Sequence, residues 1–199
     1  MNYRNINSMT MKEMNAQSVV NAVRNFGQIS RRDLAAHIGL TTATITNLVN
    51  ELIEKELLLE TGSGASAGGR KPILLEINPY AGYIIGIELN TAELICILSN
   101  FKAEILEKVF INIDVKTGKD YIINQIIETV NAVIEKNGLD RNKVLGIGFV
   151  SAGPYERDTG VMINPPNFPG WHYVPIRQII ENATGIKTYF EKETPAARR

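Results

Sequence analysis

Up to Glu54 the apolar residues recur at helical spacing, and beyond Pro79 they alternate or run together as strands do. From Met11 to Phe26, Ala16, Val19, Val20, Val23 and Phe26 share one side of a helix that Gly27 ends, while the polar residues Met1 to Thr10 are expected to fray. The stretch from Gln28 to Glu60 reads as two short helices around a tight turn. Ser30 is placed to cap the first, whose apolar face is Leu34, Ala35 and Ile38, and Gly39 supplies the left-handed residue that ends it. Thr41 or Thr42 caps the second, where Ile45, Leu48, Val49, Leu52 and Ile53 keep the i, i+3, i+4, i+7, i+8 pattern. So short a connection forces a steep crossing, the geometry of a helix-turn-helix.

After Glu54, Leu57 to Glu60 and the ILLEI segment flank the loop TGSGASAGGRKP, which predicts a hairpin of the kind that forms the wing of a winged helix. Pro79 marks a boundary, giving units over residues 1–78 and 79–199. In the second unit Tyr83 to Leu89, Leu94 to Ser99 and Glu104 to Ile113 read as three strands. Lys119 to Lys136 reads as a helix with Ile122, Ile126, Val130, Val133 and Ile134 at helical spacing, closed by Gly138. Val144 to Ser151 is apolar enough for a buried parallel strand. A turn at Arg157 to Gly160, a strand Val161 to Ile163, the loop NPPNFPGW, a helix from Pro175 to Ala183 ended by Gly185 and a strand Lys187 to Glu191 complete an α/β sheet.

Charge changes this picture only locally. The 21 Lys and Arg residues balance 21 Asp and Glu residues, so no global field draws the chain to nucleic acid. Before Glu51, however, Arg4, Lys12, Arg24, Arg31 and Arg32 face only Glu13 and Asp33. The second helix of the pair turns Ala43, Asn47 and Asn50, flanked by Thr42, Thr44 and Thr46, away from its apolar stripe. A surface that is small, uncharged and able to hydrogen-bond suits a major groove, where Asn reads adenine and methyl groups meet thymine. An ordinary solvated face would carry more Lys and Glu. Arg31 and Arg32 open the first helix of the pair, where phosphate contact is expected. Arg70 and Lys71, fed by Gly68 and Gly69, suit minor-groove or phosphate contact; the other reading is a linker with two solvated cations. His37 is either a phosphate contact or a solvated residue.

The lone Cys96 in an apolar run reads as a small hydrophobe and leaves no disulfide to form. No apolar run approaches spanning length and the N-terminus lacks the layout of a signal peptide, so a cytoplasmic protein without membrane contact is expected. His37, His172 and Cys96 are too scattered to build a metal site. Trp171 can either stack on a sugar ring or plug a core edge.

The segments GLTTATITNLVNELIEKELL, GGRKP, GIGFVSAGPYERDTGVMINPPNFPGW and FEKE, in that order, resemble the ROK family, and among its members the repressors of xylose utilisation. The resemblance implies a winged helix-turn-helix followed by the first lobe of an actin-like, ribonuclease-H-like domain. It also implies a transcriptional repressor that holds double-stranded DNA, an A/T-rich palindrome bound by two copies, and releases it when a sugar binds. No cofactor is implied. Gly153, Asn167, Lys192 and Glu193 would be the sugar-binding residues, with the loop Ser151 to Pro154 and the segment ending Phe190-Glu191-Lys192-Glu193 facing the cleft and the loop Asn164 to Trp171 close by. Where the family's sugar kinases carry a glycine-rich turn for ATP phosphates, this chain has Glu88-Leu89-Asn90-Thr91. The kinase base, an Asp that must sit within about 3 Å of the proton it takes, falls at Glu193, and the Asn before it at Lys192. The alternatives are thus an ATP-dependent sugar kinase, disfavoured by both departures, and a truncated remnant that binds DNA without sensing sugar. The family's zinc site and second lobe would lie beyond Arg199, so a fragment or a truncated chain is expected.

Overall fold

A 24-residue helix, α1 (Tyr3–Phe26), leads the chain. It begins well before Met11 because the polar stretch ahead of that residue contains no Gly or Pro, and polarity alone does not stop a helix. The computed structural model describes residues 3–63, 71–151 and 153–190. Val19, Ala22 and Val23 are buried, and α1 packs on the helix pair that follows. Phe26, expected on that inner side, is instead exposed at the final turn, with its ring edge-on to His37 at 4.8 Å.

Local chemistry fixes the next elements. β1 (Ile29–Ser30) leads into α2 (Arg31–Ile38). Ser30 caps α2 by accepting from the N–H of Asp33 at 3.2 Å, and its hydroxyl donates back to the Asp33 carboxylate at 2.6 Å. Gly39 ends the helix at φ 76°, a left-handed conformation that a Cβ would strain. Thr41, rather than Thr42, caps α3 (Thr42–Glu54) by accepting from the N–H of Thr44. Ile45, Leu48, Val49 and Leu52 are buried on the inner side of α3. β2 (Leu58–Ser63) and β3 (Ile73–Ile77) form an antiparallel hairpin, and β1 pairs with the free edge of β3, giving the order β1-β3-β2. β1 was not expected, since two residues carry no periodicity. The two compact units divide at Ala81–Gly82, three positions past the expected boundary.

The second unit is a five-stranded sheet with order β10-β7-β4-β5-β6. Its strands are β4 (Tyr83–Leu89), β5 (Glu93–Asn100), β6 (Ile105–Asn112), β7 (Val144–Ser151) and β10 (Thr188–Phe190). β4, β5 and β6 form an antiparallel meander, while β7 runs parallel to β4 and β10 parallel to β7. The helix α4 (Lys119–Lys136) crosses between β6 and β7, and α5 (Ile176–Thr184) between the short hairpin β8 (Tyr155–Glu156), β9 (Val161–Met162) and β10. One face of the sheet, with Ile85, Ile87, Leu94, Cys96, Leu98, Ile147 and Phe149, shares a core with Ile122, Ile126 and Val130 of α4 and Ile180 of α5. The other face is more open, with Ile84 and Tyr189 exposed, while β7 itself exposes only Leu145, beside the register shift against β4. Trp171 is fully buried in the same core, edge-on to Phe168 at 5.4 Å. That excludes the sugar-stacking alternative for this ring, which has no face open to a ligand.

Candidate functional site

The outer side of α3 follows from its inner one. With Ile45, Leu48, Val49 and Leu52 turned inward, Ala43, Asn47 and Asn50 align at i, i+4 and i+7 on the opposite side, and all three are exposed, as is Thr42. Thr44 and Thr46 are half-buried, and their hydroxyls are engaged. Thr46 Oγ1 donates to the Thr42 carbonyl at 2.8 Å, and Thr44 Oγ1 lies 2.9 Å from Thr41 Oγ1. Arg32 and Lys71 are exposed. Arg70 lies outside the described residues.

Arg31 does not project freely toward solvent. Its Nη2 donates to Asn50 Oδ1 at 3.2 Å and its Nη1 pairs with Glu60 Oε1 at 2.8 Å. The guanidinium therefore ties the start of α2 to both α3 and β2. Lys12 likewise pairs with Glu51 at 2.6 Å. Two of the cations counted toward a basic excess are thus offset by carboxylates. No local pattern reveals the Arg31 cluster, because its members lie on three elements that only tertiary folding brings together.

In the second unit the parallel strands point their carboxyl ends the same way, with Leu89 of β4 opposite Ser151 of β7, the side on which open α/β sheets bind ligands. Gly153 follows there. A Cβ added to it would come within 2.6 Å of Pro165 Cβ, so this backbone packs directly on the loop that carries Asn167. Asn167 is exposed, and the nearby Asn164 Oδ1 lies 2.5 Å from His172 Nδ1. The Ser151 hydroxyl is buried with no hydrogen-bond partner among the described residues. Lys192 and Glu193 lie outside them.

The turn after β4 is self-satisfied. Asn90 Oδ1 accepts from the N–H groups of Ala92 and Glu93 at 2.9 and 2.8 Å. These are backbone donors of the kind that a phosphate-cradling turn must leave open. A separate cleft of about 360 Å³ opens between β6 and α4, lined by Val109, Ile111, Thr129 and Val133 among others, and by neither Gly153 nor Asn167. At its rim Lys136 Nζ donates to Glu107 Oε1 and Asn137 Nδ2 to Glu107 Oε2. These hydrogen bonds hold the Glu107 carboxyl below its ordinary value. Among the described residues no group of three or more His, Cys, Asp or Glu is arranged to hold a metal ion, and no helix is long and apolar enough to cross a membrane.

Residues 84–198 match the ROK family. The chain belongs to the ROK family. It is 30% identical over 190 residues to a xylose repressor of Caldicellulosiruptor bescii, covering 96% of this chain and 47% of that protein. It is 32% identical over 113 residues to a glucokinase of Thermotoga maritima, covering 57% of this chain and 34% of that enzyme. The fold superposes on a ROK family transcriptional regulator, a homologue of the Escherichia coli MLC protein, with TM-score 0.70 over 92% of this chain and 46% of the other, at 24% identity. The chain spans about half the length of the curated relatives it matches. The repressor similarity runs through both units, whereas the family match itself begins only at Ile84.

Proposed function

We propose that this chain carries the DNA-binding module and the first ROK lobe of a transcriptional repressor that releases its operator when a sugar, xylose, binds. The observation that carries the reading is the uncharged outer face of α3, with Ala43 and Asn47 exposed on a three-helix unit that also bears the β2–β3 hairpin. In this reading the unit is a winged helix-turn-helix and α3 lies in a major groove, with Thr42, Ala43, Thr44, Thr46 and Asn47 toward the bases. Arg32 and Lys71 meet phosphates, and Arg70 reaches a minor groove. Two copies bind a palindromic A/T-rich operator in the cytoplasm with half-sites about one helical turn apart. Similarity along nearly the whole chain to a protein named xylose repressor supports both the regulatory role and the sugar. Gly153 and Asn167, joined through Pro165 at the carboxyl side of the sheet, are the proposed sugar contacts within the described residues, with Lys192 and Glu193 following β10.

The chain is not an enzyme in this reading. The similarity to a glucokinase favours a kinase, but the donors at Asn90 are already spent within their own turn. Selection from a random duplex pool, followed by gel shifts with and without xylose, tests the proposal. The expected result is one A/T-rich palindrome bound in preference to random DNA, with xylose weakening the complex. Binding that is absent, or equal on every duplex, overturns it.

A further inference from the structure

Arg31 stands at the junction of three elements of the first unit, as the first residue of α2. Its guanidinium reaches Asn50 Oδ1 on the outer side of α3 and Glu60 Oε1 on β2. An exposed arginine poised for phosphate would leave its fork open, because a phosphate is bound by two parallel N–H groups. Here Nη1 and Nη2 are each already directed at a protein acceptor, and the side chain is only 21% exposed while Glu60 is 43% exposed. The same bond occupies one of the two lone pairs of the Asn50 oxygen and orients its carboxamide toward Arg31, whereas reading adenine needs both its carbonyl and its amine aimed at the base.

We infer that Arg31 is a positioning residue that fixes the angle between α3 and the β2–β3 hairpin by bridging Asn50 and Glu60, rather than a ligand of the DNA backbone. The inference rests on the DNA-binding reading given above. Its chemistry distinguishes the two roles. A lost phosphate contact weakens all duplexes equally and lowers the salt slope by about one. A lost bridge lets hairpin and helix drift, so the groove contacts no longer fit together and operator binding falls while non-operator binding, which is electrostatic, stays.

The test compares the full chain with Arg31→Ala, Glu60→Gln and the double variant, on the selected operator and on random duplex, over a series of salt concentrations. Glu60→Gln is close to isosteric, and thermal melts confirm that each variant is folded. The bridge predicts that Arg31→Ala and Glu60→Gln each reduce the operator-to-random affinity ratio about tenfold. It also predicts that the double variant loses no more than the worse single one, and that the salt slope of Arg31→Ala matches the wild type. An unchanged ratio with a slope lower by about one for Arg31→Ala, or a Glu60→Gln variant whose ratio equals the wild type, overturns the bridge. Wild-type protein that prefers no duplex at all removes the DNA-binding reading itself, a result separate from either.

Discussion

Asn47 and Asn50 stand about one turn apart on the outer side of α3, and their carboxamides differ in what is left to offer. The oxygen of Asn50 is taken by Arg31. If Asn47 reads a base in the bidentate manner, Asn47→Ala should cost about 1–3 kcal/mol of discrimination at one operator position. Asn50→Ala removes one anchor of the Arg31 bridge, so it should lower operator preference across the whole site rather than at one base position. A panel of single-base operator variants, titrated with each protein, checks both. Cys96 gives a second residue-scale prediction. Burial first, and then the Glu107 charge, pushes its thiol from the ordinary 9.0 up to about 12. Above pH 9 the unfolded chain gives up that proton while the folded chain keeps it. The contribution is therefore full below about pH 9 and is lost as pH climbs toward about 12. Urea melts across that window should show wild type losing stability relative to Cys96→Ala, and a thiol reagent at pH 8 should label the protein only after unfolding. At this scale the sequence reveals what a residue does to its own neighbours. Ser30, Gly39 and Thr41 are legible because a cap needs only the next three or four positions. Trp171 and Arg31 are not, because burial and the Asn50–Glu60 bridge depend on elements distant in the chain.

Element by element, legibility followed length and periodicity. α4 has the bounds its apolar spacing implies, and β4 and β7 run over the expected residues, since each carries enough positions to average out local ambiguity. The two-residue strands β1 and β8 leave no such trace, and their pairing is decided by the edge of β3 and by the turn before β9. Two predictions belong here. Thr41→Ala removes the cap of α3 and should lower the stability of the first unit by about 1 kcal/mol, read in a urea melt that follows helix content. Gly153→Ala should force the strand-end backbone away from Pro165, because there is no space for a methyl group. If that loop and Asn167 form the sugar contacts together, calorimetry with xylose should show at least a tenfold loss of affinity, with operator affinity in the absence of sugar unchanged.

At the scale of the whole chain, the repressor similarity spans both units while the family match covers one. The two candidate sites accordingly sit in separate folding units, one on α3 and one at the carboxyl ends of the parallel strands. The difference between a kinase and a sensor is local to the second unit. A coupled assay with ATP and a panel of pentoses and hexoses should release no ADP, because the turn at Asn90 closes on itself and Glu193 replaces the shorter base that the resemblance leads one to expect. Sustained turnover would contradict that assignment.

The central strand of the sheet also sets a schedule for biosynthesis. β4 zips onto β5 as soon as a short turn is made, but its other flank must wait for β7, with β6 and α4 translated in between. At about 5–20 residues per second, the nascent chain spends on the order of several seconds with one side of that strand unpaired, while the helix-rich leading unit can already have closed. Ribosomal pausing just upstream of Val144 would prolong that interval, so synonymous codons there should influence yield more than those inside α1.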